Sequence, residues 1–109
     1  MIYYTYCFVR KDMPPVYHII QAAHAMHEIG MDQERIHGAE NHMILFEVEN
    51  QQELLKAHCA ISTKAGIKTC LFYEPDYDTG FSALATVAIR EDDPQREVFG
   101  DFRMYGCPV

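Results

Sequence analysis

Near its start the chain carries eight residues, Ile2-Tyr3-Tyr4-Thr5-Tyr6-Cys7-Phe8-Val9, that are aromatic, β-branched or otherwise apolar at almost every position. Such residues favour extended backbone. Successive side chains of a strand point to opposite faces, so a run apolar at odd and even positions alike has two faces to bury. A strand that must be covered on both sides calls for a layered arrangement with helices on each face. The run closes at Arg10-Lys11-Asp12, and Met13-Pro14-Pro15 follows. Proline suits the first turn of a helix. The result is a strand, a polar turn and a helix, and α/β proteins commonly place a site at such a carboxyl end of a strand.

The helical pattern spans residues 16–29. Ile19, Ile20, Ala23, Met26 and Ile29 follow i, i+3, i+4 spacing and predict an inward stripe. Tyr17, Gln21, His24 and Glu28 recur on a second face. Gly30 is placed to end the helix. Residues 31–41 read as a loop or an irregular turn, and residues 42–48 as a second strand. Asn50 is an N-cap, with Glu53 three residues on as a capping-box partner. The helix it opens has Leu54, Leu55, His58, Ile61 and Ala65 as its buried face and stops at Gly66. Residues 68–73 form a third strand, 74–80 a polar loop broken by Pro75 and Gly80, and 83–89 a fourth strand. Pro94 starts a short helix to Phe99, and residues 102–105 can add a last edge strand.

The order predicts a single domain over residues 1–109, an α/β three-layer sandwich whose mixed four-stranded sheet is covered by helices. The first three strands are expected to be mainly parallel, joined by right-handed crossovers, and the fourth antiparallel. The carboxyl ends of strands one and three then share an edge. That brings the turn 10–12, the start of the first helix and the loop 74–82 together.

Sixteen acidic against nine basic residues give a net charge of −7. Nucleic-acid affinity comes largely from Lys and Arg on phosphates, so a generic nucleic-acid binder is disfavoured. Arg10-Lys11 is the only adjacent basic pair. No apolar run reaches the ~18–20 residues of a membrane span, and the first residues lack the basic segment of a secretory signal. A cytoplasmic location is the expectation. Cys7, Cys59, Cys70 and Cys107 form no CxxC pair and read as free thiols. His24-x-x-His27 has helical spacing, but no Cys or carboxylate pattern completes a metal site. No metal and no cofactor is expected.

Four motifs in order carry a resemblance. Val9-Arg10-Lys11-Asp12-Met13 is similar to the V-R-x-D-[LM] end of the first strand in the type 2 peptidyl-tRNA hydrolase family. Gln21-Ala22-Ala23-His24-Ala25 resembles the Q-x-x-H-A end of that family's first helix. Glu74 falls where the family has an Asp after its third strand, and Ser82-Ala83 where it has Thr-Ala. Together the motifs cover residues 2–89. Tyr17 stands where the family has a helix Lys, and Val16 where it has Gly. Lys11 or His18 are the nearby residues that offer partial replacement.

The resemblance implies the family fold and hydrolysis of the ester between a peptidyl or aminoacyl group and tRNA. It implies His24, Glu74 and Ser82 as catalytic residues, and Arg10, Lys11, Tyr17 and Gln21 as substrate-binding residues. Partners would be tRNA or peptidyl-tRNA, and a second copy of the chain in a homodimer. The chemistry needs a positioned, deprotonated water and donors for the oxyanion. The same residues admit plainer roles. His24 can pair with Glu28 one turn on, Arg10 with Asp12 as a structural salt bridge, and Glu74 can be merely solvated. The alternative is a non-catalytic member of the fold, acting as a binding or homodimeric interaction module. A negative cleft beside Arg10 would weigh against RNA.

Overall fold

Strand β1 (Ile2–Arg10) is the hub of the sheet, as its two apolar faces require. The computed structural model describes residues 1–107, so the last two positions of the expected domain lie outside the described residues. β1 pairs in parallel along its whole length with β2 (Glu40–Val48), Ile2 opposite Glu40 through Arg10 opposite Val48. On its other side it meets β4 (Gly80–Thr86) antiparallel, with Phe8 opposite Leu84. β3 (Thr69–Glu74) lies outside β4, antiparallel to it. Strands β1, β2 and β3 therefore run in the same direction and β4 against them. The expected directions hold, but β3 is separated from β1 by β4.

Among the described residues the sheet has six strands, not four. One reason is Thr86. The expected strand 83–89 breaks there because the buried Thr86 Oγ1 accepts a hydrogen bond from the Tyr6 backbone N–H at 3.1 Å, replacing a ladder carbonyl. The chain resumes as the short β5 (Ile89–Arg90), which pairs with the start of β1. β6 (Arg103–Met104) then adds an edge against β2.

Alternation along β1 sorts the core into two layers. Tyr6 and Phe8 face one side with Phe46, Leu54, Ile61, Leu84 and Phe99. That side is covered by α2 (Gln51–His58), by a 3₁₀ segment (Pro94–Asp101) and by a π-helical continuation of α2 (Cys59–Lys64). Asn50 caps α2 as expected, its Oδ1 accepting the Glu53 N–H at 3.0 Å, while the Glu53 carboxylate turns to Lys56. The buried residues are Leu54, Ala57 and Ile61; Leu55 is exposed, contrary to expectation.

Val9, Ala83 and Ala85 face the other side, where α1 (Pro15–Met31) packs. The inward face of α1 is His18, Gln21, Ala25 and Ile29; of the predicted apolar stripe Ile29 is buried and Met26 half-buried, while Ile19, Ile20 and Ala23 are exposed. The two alanines of β4 leave room for the helix to approach closely, so small Ala25 sits inward. The polar inward residues are tolerated because each is fully hydrogen-bonded, as burial demands. Ile19 is left 74% exposed.

Candidate functional site

The site follows from three chain reversals at one sheet edge. β1 ends at Arg10, α1 begins at Pro15, and β3 passes through a tight turn into β4. Arg10 binds these reversals together. Its Nε and Nη2 donate to both oxygens of Asp12, at 2.9 and 3.0 Å. Its Nη1 donates to the carbonyls of Thr79 and Phe81, at 2.5 and 3.0 Å. The start of β4 is also fixed from the far side by Gln51, whose Oε1 accepts the Phe81 N–H.

Gln21 carries the central geometry. It is 3% exposed, and Ser82, on β4, is fully buried. The Ser82 hydroxyl donates to Gln21 Oε1 at 2.5 Å. Because the amide oxygen is thus fixed as acceptor, the amide nitrogen must point outward. It donates to Glu74 Oε2 at 3.1 Å. The Asp76 backbone N–H donates to the other oxygen, Oε1, at 3.1 Å. Glu74, at the end of β3, is thereby a carboxylate open to solvent but held in one orientation. The Gln21 amide first, then the Asp76 N–H, and less strongly the nearby His24, hold its pKa below the usual carboxylate range.

His24 lies one turn beyond Gln21 on the same flank of α1. Its imidazole is exposed and stacks flat on Phe72 of β3, with centroids 4.6 Å apart and planes 3° from parallel. It is not paired with Glu28, which instead accepts a hydrogen bond from the Cys70 thiol at 3.1 Å. Aromatic stacking fixes the ring plane while leaving its nitrogens accessible.

Beside this group opens a cleft of about 490 Å³, whose walls include Arg10, Tyr17, Ile20, Gln21, Glu74 and Tyr77. Tyr17, at the position of the family Lys, is on the cleft wall, as are Arg10 and Gln21. Lys11 is not. It points to the other side of the strand end, where it pairs with Glu47 and Glu49, each at 3.3 Å. His18 offers no replacement charge at the cleft either. It is buried, with Nε2 on the Met13 carbonyl at 2.7 Å and Nδ1 on the Tyr105 hydroxyl at 2.9 Å. Ser82 is too deep to touch a ligand and reaches the cleft only through Gln21.

The cleft is electronegative. Asp12, Glu74, Asp76 and Asp78 line it against the single guanidinium of Arg10, which Asp12 already neutralises. The sequence places the whole loop 74–82 at this edge, but singles out only Glu74 and Ser82 of it and gives Asp76, Tyr77 and Asp78 no role. Tyr77 and Asp78 both adopt left-handed backbone, φ 56° and 53°, in the 3₁₀ turn Asp76–Asp78. Neither is glycine, so only the flanking Pro75 and Gly80 mark a turn here, and nothing local marks the left-handed pair. Among the described residues, no three His, Cys, Asp or Glu side chains converge as a metal set.

Compared with known proteins, the chain matches no family model and no curated protein.

Proposed function

We propose that the chain is an ester hydrolase of the peptidyl-tRNA hydrolase kind, cleaving the bond between a peptidyl or aminoacyl group and tRNA. The observation that supports this best is the Ser82–Gln21–Glu74 relay. A solvent-facing carboxylate needs no buried partner to be stable. Here a buried amide is nevertheless spent on orienting one, at the mouth of a cleft and next to an accessible imidazole. His24 lies near Glu74 but is not among the residues that line the cleft, so the oriented carboxylate carries the reading, with the imidazole at its side as the partner that activating a water requires.

In this reading Glu74 accepts a hydrogen bond from the attacking water and holds it. Its lowered pKa makes it a weak base, so the neighbouring His24 imidazole takes the water proton. The water oxygen bonds to the acyl carbon, and the carbonyl oxygen becomes the oxyanion. The acyl carbon–ribose oxygen bond then breaks, and His24 returns the proton to the leaving oxygen. The exposed Tyr17 hydroxyl is a hydrogen-bond donor on the cleft wall for the oxyanion or the substrate carbonyl. Gln21 and Ser82 act as positioning residues. Arg10 holds the loop that carries the site.

The test is release of N-blocked aminoacyl groups from charged tRNA. His24→Ala and Glu74→Gln are each expected to lower kcat by roughly 10²-fold or more, and His24→Ala to keep a melting temperature near wild type because its side chain is exposed. No turnover, or an unchanged rate in His24→Ala, rejects the hydrolase reading.

The charge of the cleft favours a second reading, a non-catalytic binding module on the same fold. Four carboxylates and an already paired Arg10 repel phosphates rather than attract them. Under that reading the charged-tRNA assay gives no turnover and the Glu74→Gln variant keeps its partner-binding surface intact.

A further inference from the structure

The segment between α1 and β2 plays no part in the cleft beside Glu74. It carries Asp32, Gln33, Glu34 and Arg35 in succession, then Ile36. It lies at the opposite end of the sheet, where β1 and β2 begin with Ile2 opposite Glu40. There it lines one side of a second cavity, of about 320 Å³, whose walls share no residue with the first cleft.

The polar groups of this cavity are engaged by their acceptors and leave their donors over. Gln33 Oε1 accepts the Ala88 N–H at 3.0 Å, in the break between β4 and β5. A backbone N–H can only donate, so the oxygen is the bound half of the amide, and the Gln33 N–H groups have no partner among the described residues. Buried Thr5 donates its hydroxyl to Asn41 Oδ1 at 3.2 Å, which leaves the Asn41 N–H groups over in the same way. Asp32 pairs with Lys68 at 2.9 Å. Its neighbours Glu34 and Arg35 have no ion-pair partner among the described residues, whereas Arg10, Arg90, Arg96 and Arg103 each donate to a carboxylate, hydroxyl or carbonyl. The rest of the wall is apolar. Ile29 is buried and Met26 half-buried, while Ile36 and Met43 are exposed. An apolar concavity with a few polar groups is the ordinary form of a small-molecule site.

We infer that this cavity binds a small apolar α-amino acid, with its carboxylate on the Arg35 guanidinium and the Gln33 amide N–H, its ammonium on Glu34, and its side chain against Met26, Ile29 and Ile36. Three considerations select this ligand. The first is chemistry. A guanidinium and amide N–H groups on one side and a carboxylate on the other complement the two ends of a zwitterion. The second is net charge. A chain at −7 repels a bare anion, whereas a zwitterion brings no net charge. The third is size. A water's share of liquid volume is about 30 Å³, so the cavity offers about ten such positions. Leucine or methionine fills that space, and tryptophan exceeds it.

The experiment is isothermal titration of the full chain with L-leucine and with L-methionine, which reads binding and is independent of any hydrolase activity. Saturable binding of one molecule per chain is expected. Leucinamide lacks the carboxylate and isocaproate lacks the ammonium. Each is expected to bind at least about tenfold more weakly, as the loss of a charged hydrogen bond implies. Arg35→Gln, on an exposed side chain, is expected to weaken leucine by a similar factor with an unchanged melting curve. Gly30 offers a second variant. It lines the cavity from α1, and a Cβ there meets nothing within 4 Å. Gly30→Leu therefore fills the space without strain and is expected to abolish binding in a folded protein. Tyr77→Ser, in the other cleft, is expected to leave the affinity unchanged. Failure of both amino acids to bind overturns the inference, as does leucinamide or isocaproate matching leucine. So does binding that folded Arg35→Gln and Gly30→Leu both retain in full, or that Tyr77→Ser removes.

Discussion

Gln21 illustrates how much one polar side chain can decide. Both halves of its amide are engaged, with Ser82 on the acceptor side and Glu74 on the donor side. Replacing Gln21 by Leu leaves the fully buried Ser82 hydroxyl without its acceptor, and an orphaned buried polar group costs about 1–3 kcal/mol. Ser82→Ala removes the donor instead and costs about 0.5–1.5 kcal/mol. The double variant is expected to lose less than the sum, because no orphan remains. Denaturant titration of the four proteins checks this, and strict additivity would show that the pair is not coupled. The Gln itself stood out in the sequence through its Q-A-A-H-A setting. Its burial did not, because its partners lie 53 and 61 residues further along. The cysteines make a second residue-level case. Burial pushes the Cys7 thiol up to about 12, and burial with the Glu28 carboxylate does the same for Cys70. Cys59 and Cys107 are exposed. Alkylation of the native protein near pH 8 is expected to label Cys59 and Cys107, while Cys7 and Cys70 react only after denaturation, as peptide mapping will show.

At the level of elements, the parts legible in the sequence were those set by local chemistry. Asn50 announces α2, the prolines announce the start of α1, and a run of aromatic and β-branched residues announces β1. What escaped was pairing. Nothing local tells β4 to insert between β1 and β3, or tells α1 to turn its Gln face rather than its Ile face inward. Those choices are made by Ala83 and Ala85, which allow close helix approach, and by the hydrogen bonds awaiting Gln21 and His18. The turn into β4 shows the same dependence. Gly80 has φ +77°, and a Cβ there would collide with Gln51 Oε1, the acceptor of the Phe81 N–H. Gly80→Ala therefore meets backbone strain and the loss of that bond together, and is expected to cost about 1–3 kcal/mol. The same variant loosens the Thr79 and Phe81 carbonyls that Arg10 holds. A Gly80→Ala protein as stable as wild type would mean that the turn relaxes without involving Gln51.

For the whole molecule, the acid excess makes pH the natural probe. Glu47 at the end of β2 has its pKa lowered, chiefly by the Gly106 N–H, which donates to its carboxylate at 2.7 Å, and further by Lys11. It thus joins the β1–β2 edge to the segment that follows β6. Glu74 is lowered as well, at the opposite flank of the same sheet edge. A carboxyl whose folded pKa lies below its unfolded value binds fewer protons when folded. Its contribution is fully present above the ordinary Glu value of about 4.3 and disappears as pH falls through the depressed folded value. Melting temperature is therefore expected to be flat from about pH 7 down to about pH 5 and to fall below that. Glu47→Gln cannot ionise, so its melting temperature is expected to be lower than wild type at neutral pH and to converge on it in acid. The Gln side chain still offers an oxygen to the Gly106 N–H, which isolates the charge from the hydrogen bond. Parallel acid profiles of the two proteins would show that ionised Glu47 does not tie down the C-terminal segment, and would move the acid sensitivity to the cleft carboxylates around Glu74.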